Sequence, residues 1–65
     1  MTGQERPVRV LVADPAPLLR SGFRSVLGSH PEVTLVGEAG DGVAAVDLAR
    51  RLLPDVVLMD LRLPR

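Results

Sequence analysis

The chain has no cysteine, lysine, tryptophan or tyrosine, and only one phenylalanine and one histidine in 65 residues. Each absence excludes a class of chemistry. Without cysteine there is neither a disulfide framework nor a thiolate, and His30 alone cannot assemble a zinc site. Without lysine, no Schiff base and no ammonium contact to a phosphoryl group comes from these residues. With Phe23 as the only aromatic, the expected core is aliphatic, built from Val, Leu and Ala. No run approaches the ~18 apolar residues of a membrane span. The opening Met1-Thr2-Gly3-Gln4-Glu5-Arg6-Pro7 has no apolar stretch of the kind a signal peptide needs. These features predict a cytoplasmic protein with no membrane contact. Eight basic residues, all arginine, balance eight acidic ones. A net charge of zero argues against nucleic-acid contacts, which call for a basic stripe. The length allows one small domain, and an unstapled core of that size seldom contributes more than about 3–5 kcal/mol.

What is present alternates between two periods. Residues 1–7 are polar and predict a disordered N-terminal arm. Val8-Arg9-Val10-Leu11-Val12-Ala13 is nearly continuously apolar and suits a strand covered on both faces, as in a parallel sheet. Pro15 and Pro17 break it. Ala16, before a proline, should stay extended, and Pro17 suits the first helical position. Leu18, Leu19, Gly22, Phe23, Val26 and Leu27 then follow helical spacing, with Arg20 and Arg24 on the other side. Gly28 is placed for a left-handed cap, and Pro31 prevents continuation. A second strand covers 33–36 and runs on to Ala39. Asp41 or Gly40 caps a second helix, whose stripe is Val43, Val46, Ala49 and Leu53, closed by Pro54. The third strand is Val56 to Met59. Short connections between alternating elements imply a parallel sheet with right-handed crossovers.

The first and third strands each end in a carboxylate, Asp14 and Asp60. In the flavodoxin-like order 2-1-3 these strands are neighbours, about 4.8 Å apart. Ligands of open α/β sheets sit beyond such carboxyl ends, where the winding reverses. Two close carboxylates repel, and a magnesium ion, which takes one or two carboxylates plus phosphate and water, relieves this. An aspartate there can also serve as nucleophile toward a phosphoryl donor. Blander roles compete. Asp60 could cap a strand-to-loop turn, and Asp14 could accept amides near the start of the first helix. Asp41 reads as a helix cap, His30 as a solvated loop residue, and Met59 as pointing opposite to Asp60, into the core. Gly37, Gly40 and Gly42 follow the second strand in a Gly-x-x-Gly-x-Gly order, which excludes the dinucleotide fingerprint.

Four segments carry a family resemblance: Val10-Leu11-Val12-Ala13-Asp14, Pro17-Leu18-Leu19-Arg20, Val36-Gly37-Glu38-Ala39-Gly40-Asp41-Gly42 and Pro54-Asp55-Val56-Val57-Leu58-Met59-Asp60-Leu61-Arg62-Leu63-Pro64. In this order and spacing the chain resembles the receiver (CheY-like) domains of bacterial two-component response regulators. The stretch from Gly37 to Gly42 looks most like the subgroup with a C-terminal helix-turn-helix output domain. The resemblance implies an α/β, truncated flavodoxin-like fold, β-α-β-α-β, with a three-stranded parallel sheet in order 2-1-3. Residues 8–65 are then a partial receiver domain, the first half of one. It further implies that Asp60 is the phosphoacceptor, and that Asp14, Asp60 and the backbone carbonyl of Arg62 hold Mg2+. The implied partner is a sensor histidine kinase. The chain would be a phosphorelay component and not an enzyme.

Two departures stand out. The family's first strand ends in an adjacent acid pair, and here the second member is Pro15, which has no side-chain oxygen. The family's Ser/Thr after the fourth strand and Lys after the fifth also lie beyond residue 65. A degenerate receiver fragment, serving only as an interaction or dimerisation module, is the alternative expectation, and a fragment without independent function is a third. The third strand should form an open, Val-rich edge, a template for a homodimer or for aggregation of a marginally stable chain.

Overall fold

A computed structural model describes residues 6–60 of the protein. Five elements alternate along the chain: β1 (Val8–Ala13), α1 (Pro17–Gly28), β2 (Val33–Ala39), α2 (Gly42–Leu52) and β3 (Val56–Met59). The three strands form one parallel sheet in the order β2-β1-β3, as the pattern of elements implied. β1 is central, and its apolar run from Val10 to Ala13 is covered on both faces. Val10, Leu11, Val12 and Ala13 are all buried, and Leu11 has no exposed surface. Burial of one such leucine is worth about 1.5–3 kcal/mol relative to exposure.

The helices lie on opposite faces. Ala39 of β2 packs with Ala13 and with Ala45 of α2. The adjacent Glu38 reaches Arg20 and Arg24 of α1, and neighbouring strand residues point to opposite sides. The pairing of β1 with β2 contains a bulge, because Val10 pairs with Leu35 but Leu11 pairs with Gly37. Gly37 faces α2 at close range. A Cβ there would lie 2.9 Å from Leu52 Cδ1 and 3.2 Å from Leu11 Cδ1, so the glycine is what lets the helix approach the sheet.

The helix boundaries follow local chemistry. Ala16 is extended (φ −91°, ψ 113°) and Pro17 opens α1. Asp41 caps α2, its Oδ1 accepting from the Ala44 amide at 2.8 Å. Other expectations are corrected. Gly28 is the last residue of α1 and not a left-handed cap; Ser29 (φ −88°, ψ 0°) caps instead, and its amide and hydroxyl both donate to Val26 O. The left-handed residue is Leu53 (φ 49°), which ends α2 by donating to Ala49 O. α2 packs through Ala45, Ala44 and Leu48, whereas the expected stripe residues Val43, Val46 and Leu53 are exposed.

α1 is corrected in the same way. Within it only Arg20 and Leu27 are half-buried, and Leu18, Leu19, Phe23 and Val26 are exposed. The helix leans over β1 and β2, so its arginines meet Glu38 while its apolar row points beyond the covered strands. β3 explains why. Among the described residues it pairs only with β1, and Val56, Val57, Leu58 and Met59 are all exposed. Met59, expected in the core, is 48% exposed.

Candidate functional site at the carboxyl ends of β1 and β3

β1 and β3 pair in register from Val10 with Val56 to Ala13 with Met59. The residue following each strand is an aspartate. The Asp60 amide donates to Ala13 O at 3.1 Å, which extends the ladder by one step and sets Asp60 beside Asp14. Asp14 is 7% exposed. Its amide donates to Ala39 O at 2.9 Å. Its Oδ1 accepts from the Ala16 amide at 2.9 Å, a side-chain turn that fits the extended residue before Pro17. Its main-chain carbonyl accepts from Arg20 Nη1 at 2.6 Å. Among the described residues the carboxylate's hydrogen bond is made through Oδ1. Both aspartates line a cleft of about 420 Å³ with Ala13, Leu19, Phe23 and Leu58.

A larger depression of about 550 Å³ runs along the outer side of α2, past Gly42, Val43, Val46 and Arg50. Its one carboxylate, Asp47, lies 3.7 Å from Arg51 one helical turn on. It brings no two acids together, so chemistry and not size locates the site.

Two further acids serve the frame, and their partners were not foreseen from the sequence. Asp55 sits at the amino end of β3. Both its oxygens accept from the Arg6 guanidinium, at 2.8 and 2.9 Å, and Oδ2 also accepts from the Arg9 amide at 2.8 Å. The hydrogen bonds from Arg6, and then the one from Arg9, hold this carboxyl well below the usual carboxylate range. Arg6 belongs to the stretch expected to be a disordered arm; residues 1–5 of it lie outside the described residues. Glu38 accepts from Arg24 Nε and Nη2 at 2.8 and 3.0 Å, and this bidentate contact lowers its pKa against the opposing effect of burial. The arginines at i and i+4 on α1 were the available signal, since that spacing places both on one side.

The comparisons with known proteins bear on this geometry. No protein-family model matches the chain. It is 48% identical over 58 residues to the uncharacterized transcriptional regulatory protein YxjL of Bacillus subtilis strain 168, covering 89% of this chain and 27% of that one. It is 50% identical over 60 residues to protein-glutamate methylesterase/protein-glutamine glutaminase 3 of Myxococcus xanthus strain DK1622, covering 92% and 17%. Among solved structures, the signal receiver domain of NarL from Mycobacterium tuberculosis superposes with a TM-score of 0.87 at 47% identity, covering 91% of this chain and 48% of that one. The chain is a partial receiver domain of the response-regulator family. It spans about a quarter or less of these curated relatives and about half of the solved receiver domain. YxjL fits the output subgroup read from residues 37–42, while the methylesterase shows that receiver domains of other outputs are equally similar.

Receiver domains bind Mg2+ at the phosphorylation site. The donors of this receiver domain fit such an ion in part. Asp14 and Asp60 line one cleft, and magnesium commonly uses one or two carboxylates, completing its octahedron with water and phosphate. Pro15 adds no side-chain oxygen, and among the described residues no cluster of three His, Cys, Asp or Glu is placed to hold a metal. Arg62, whose carbonyl was the expected third ligand, lies outside the described residues. Among those residues no helix is long and apolar enough to cross a membrane.

Proposed function

We propose that the chain is the phosphoacceptor part of a response-regulator receiver in a phosphorelay, with Asp60 the residue that takes the phosphoryl group. The observation that carries this reading is the juxtaposition of Asp14 and Asp60 across the in-register ends of β1 and β3. A sensor histidine kinase, with its phosphohistidine, is the implied donor. A carboxylate oxygen of Asp60 attacks phosphorus, the phosphorus–nitrogen bond breaks, and the imidazole leaves with the bonding pair. Asp14 Oδ2, Asp60 and the carbonyl of Arg62 would hold magnesium, which offsets the negative charge of the phosphoryl oxygens. Asp14 is already fixed by the Ala16 amide and the Arg20 guanidinium, so it enters the site preorganised. The chain is here the substrate of the transfer, not an enzyme. A transcriptional, helix-turn-helix output, a cytoplasmic location and a partial domain at 8–65, preceded by an N-terminal arm whose Arg6 is tied to Asp55, complete the proposal.

One observation favours a second reading. Pro15 stands where the family's second acid would be, which lowers the affinity for magnesium and hence the reactivity of Asp60. The chain would then act as an unphosphorylated interaction module, pairing as a homodimer through the open edge of β3. Exposure to a small-molecule phosphodonor with magnesium, followed by intact-mass measurement, separates the two. A single acid-labile phosphoryl adduct, absent from Asp60→Asn, supports the first. No adduct on the native chain, with one appearing in Pro15→Asp joined to a full second half, supports the second.

A further inference from the structure

Two sequence segments remain unexplained by the acid pair itself: Pro17-Leu18-Leu19-Arg20 and the glycine-bearing stretch from Gly37 to Gly42. The structure joins them through one side chain. Arg20 leaves α1, passes Glu38 with its Nε 3.6 Å from Oε1, and ends with Nη1 on Asp14 O at 2.6 Å. Its side chain is 21% exposed. It lies against Gly40, where a Cβ would come within 3.3 Å of Nη1 and 4.0 Å of Cζ. Gly40 does not have a positive φ, so its lack of a side chain serves space and not backbone conformation. Glu38 is in turn oriented by its bidentate contact with Arg24.

We propose that Arg20 is a positioning residue for the acid pair: seated against Gly40 and oriented by Glu38, it holds the Asp14 main chain so that Oδ1 meets the Ala16 amide and Oδ2 is presented to the cleft. This rests on the reading of Asp14 and Asp60 as a cation and phosphoryl site. The guanidinium binds the carbonyl of Asp14 and leaves the carboxylate's charge available to a cation. Electrostatics and positioning predict opposite signs for its removal. Loss of a nearby positive charge, taken alone, strengthens Mg2+ binding. Loss of an orienting contact weakens it, typically by 10–100-fold.

The test is a Mg2+ titration of the full chain followed by NMR, together with amide exchange of Ala16 in metal-free protein. Leu11 exchange reports whether the fold is intact. Arg20→Gln is expected to weaken Mg2+ binding about tenfold and to speed Ala16 exchange about fivefold, with Leu11 unchanged. Gly40→Val, which keeps every charge but crowds the guanidinium, is expected to do the same. Arg20→Lys, which retains a donor, should recover part of both losses. Mg2+ binding that is unchanged or tighter in Arg20→Gln overturns the proposal. If the native chain binds no Mg2+ at all, the reading of the acid pair fails. The exchange of Ala16 then decides the positioning role by itself: unchanged exchange in both variants overturns it.

Discussion

The two ends of the sheet use arginine in opposite ways. At the amino end, Arg6 places both guanidinium nitrogens on the carboxylate of Asp55, and Arg9 adds its amide. That acid is ion-paired and tied to the β1–β3 seam, which the Asp55 amide also joins by donating to Arg9 O at 2.8 Å. At the carboxyl end, Arg20 contacts the carbonyl of Asp14 and not its carboxylate. The carboxylate lines a cleft with Asp60. A carboxylate at a strand end is therefore structural or chemical according to which of its atoms the nearest cation takes.

The largest effect is expected at the carboxyl end. Asp60→Asn should abolish phosphodonor labelling completely, read by intact mass. If labelling survives, the contrast between the ends collapses, because the reactive group then lies elsewhere. Next comes the strand that joins the ends. Leu11→Ala removes a side chain with no exposed surface and should cost about 2–5 kcal/mol, enough to unfold a domain of this size, measured by denaturant titration. Both ends should be lost together.

A control away from both ends is Asp41→Ala. Loss of the cap on α2 should cost about 1 kcal/mol and leave any labelling of Asp60 unchanged. The smallest effect is a dependence on pH, at Asp55 of the amino end and at Glu38 near the carboxyl end of β2. Asp55 and Glu38 both titrate lower in the folded protein than in the unfolded chain, through their arginines. Their contribution is complete above the ordinary carboxylate range near about 4 and is lost as pH falls through the folded values. Thermal melts should therefore drop on the acid side, and Asp55→Asn should flatten that limb. Both pairs are solvent-exposed, so high salt should shrink the effect. An acid limb unchanged in Asp55→Asn would mean that Arg6 contributes nothing to the seam.

The order of elements, the central place of β1, the Ala16–Pro17 helix start and the Asp41 cap were legible in the sequence because each rests on local chemistry. So was the meeting of Asp14 and Asp60, which follows from strand order alone. The helix faces were not. Periodicity identified apolar stripes on α1 and α2 but not which residues a neighbour covers: Val43, Val46, Phe23 and Val26 are exposed. The left-handed conformation fell to Leu53 and not to Gly28, since the approach of Pro54 and the seam at Arg9 decide it, Arg9 Nη1 donating to Leu53 O at 2.9 Å. Arg20 and Glu38 escaped notice because their contact joins elements far apart in sequence.

The bulge in β2 acts as a phase shifter. Val10 pairs with Leu35 and Leu11 with Gly37, so Val36 is passed over. If Val36 instead paired with Leu11 in an unbroken ladder, Ala13 would pair with Glu38 in place of Ala39, and the side-chain alternation would be inverted from there on. Glu38 would enter the small-residue layer formed by Ala13 and Ala45 beneath α2, and the alanine would face the arginines of α1. A single unpaired residue in one strand sets which face of the sheet is dry and which is polar.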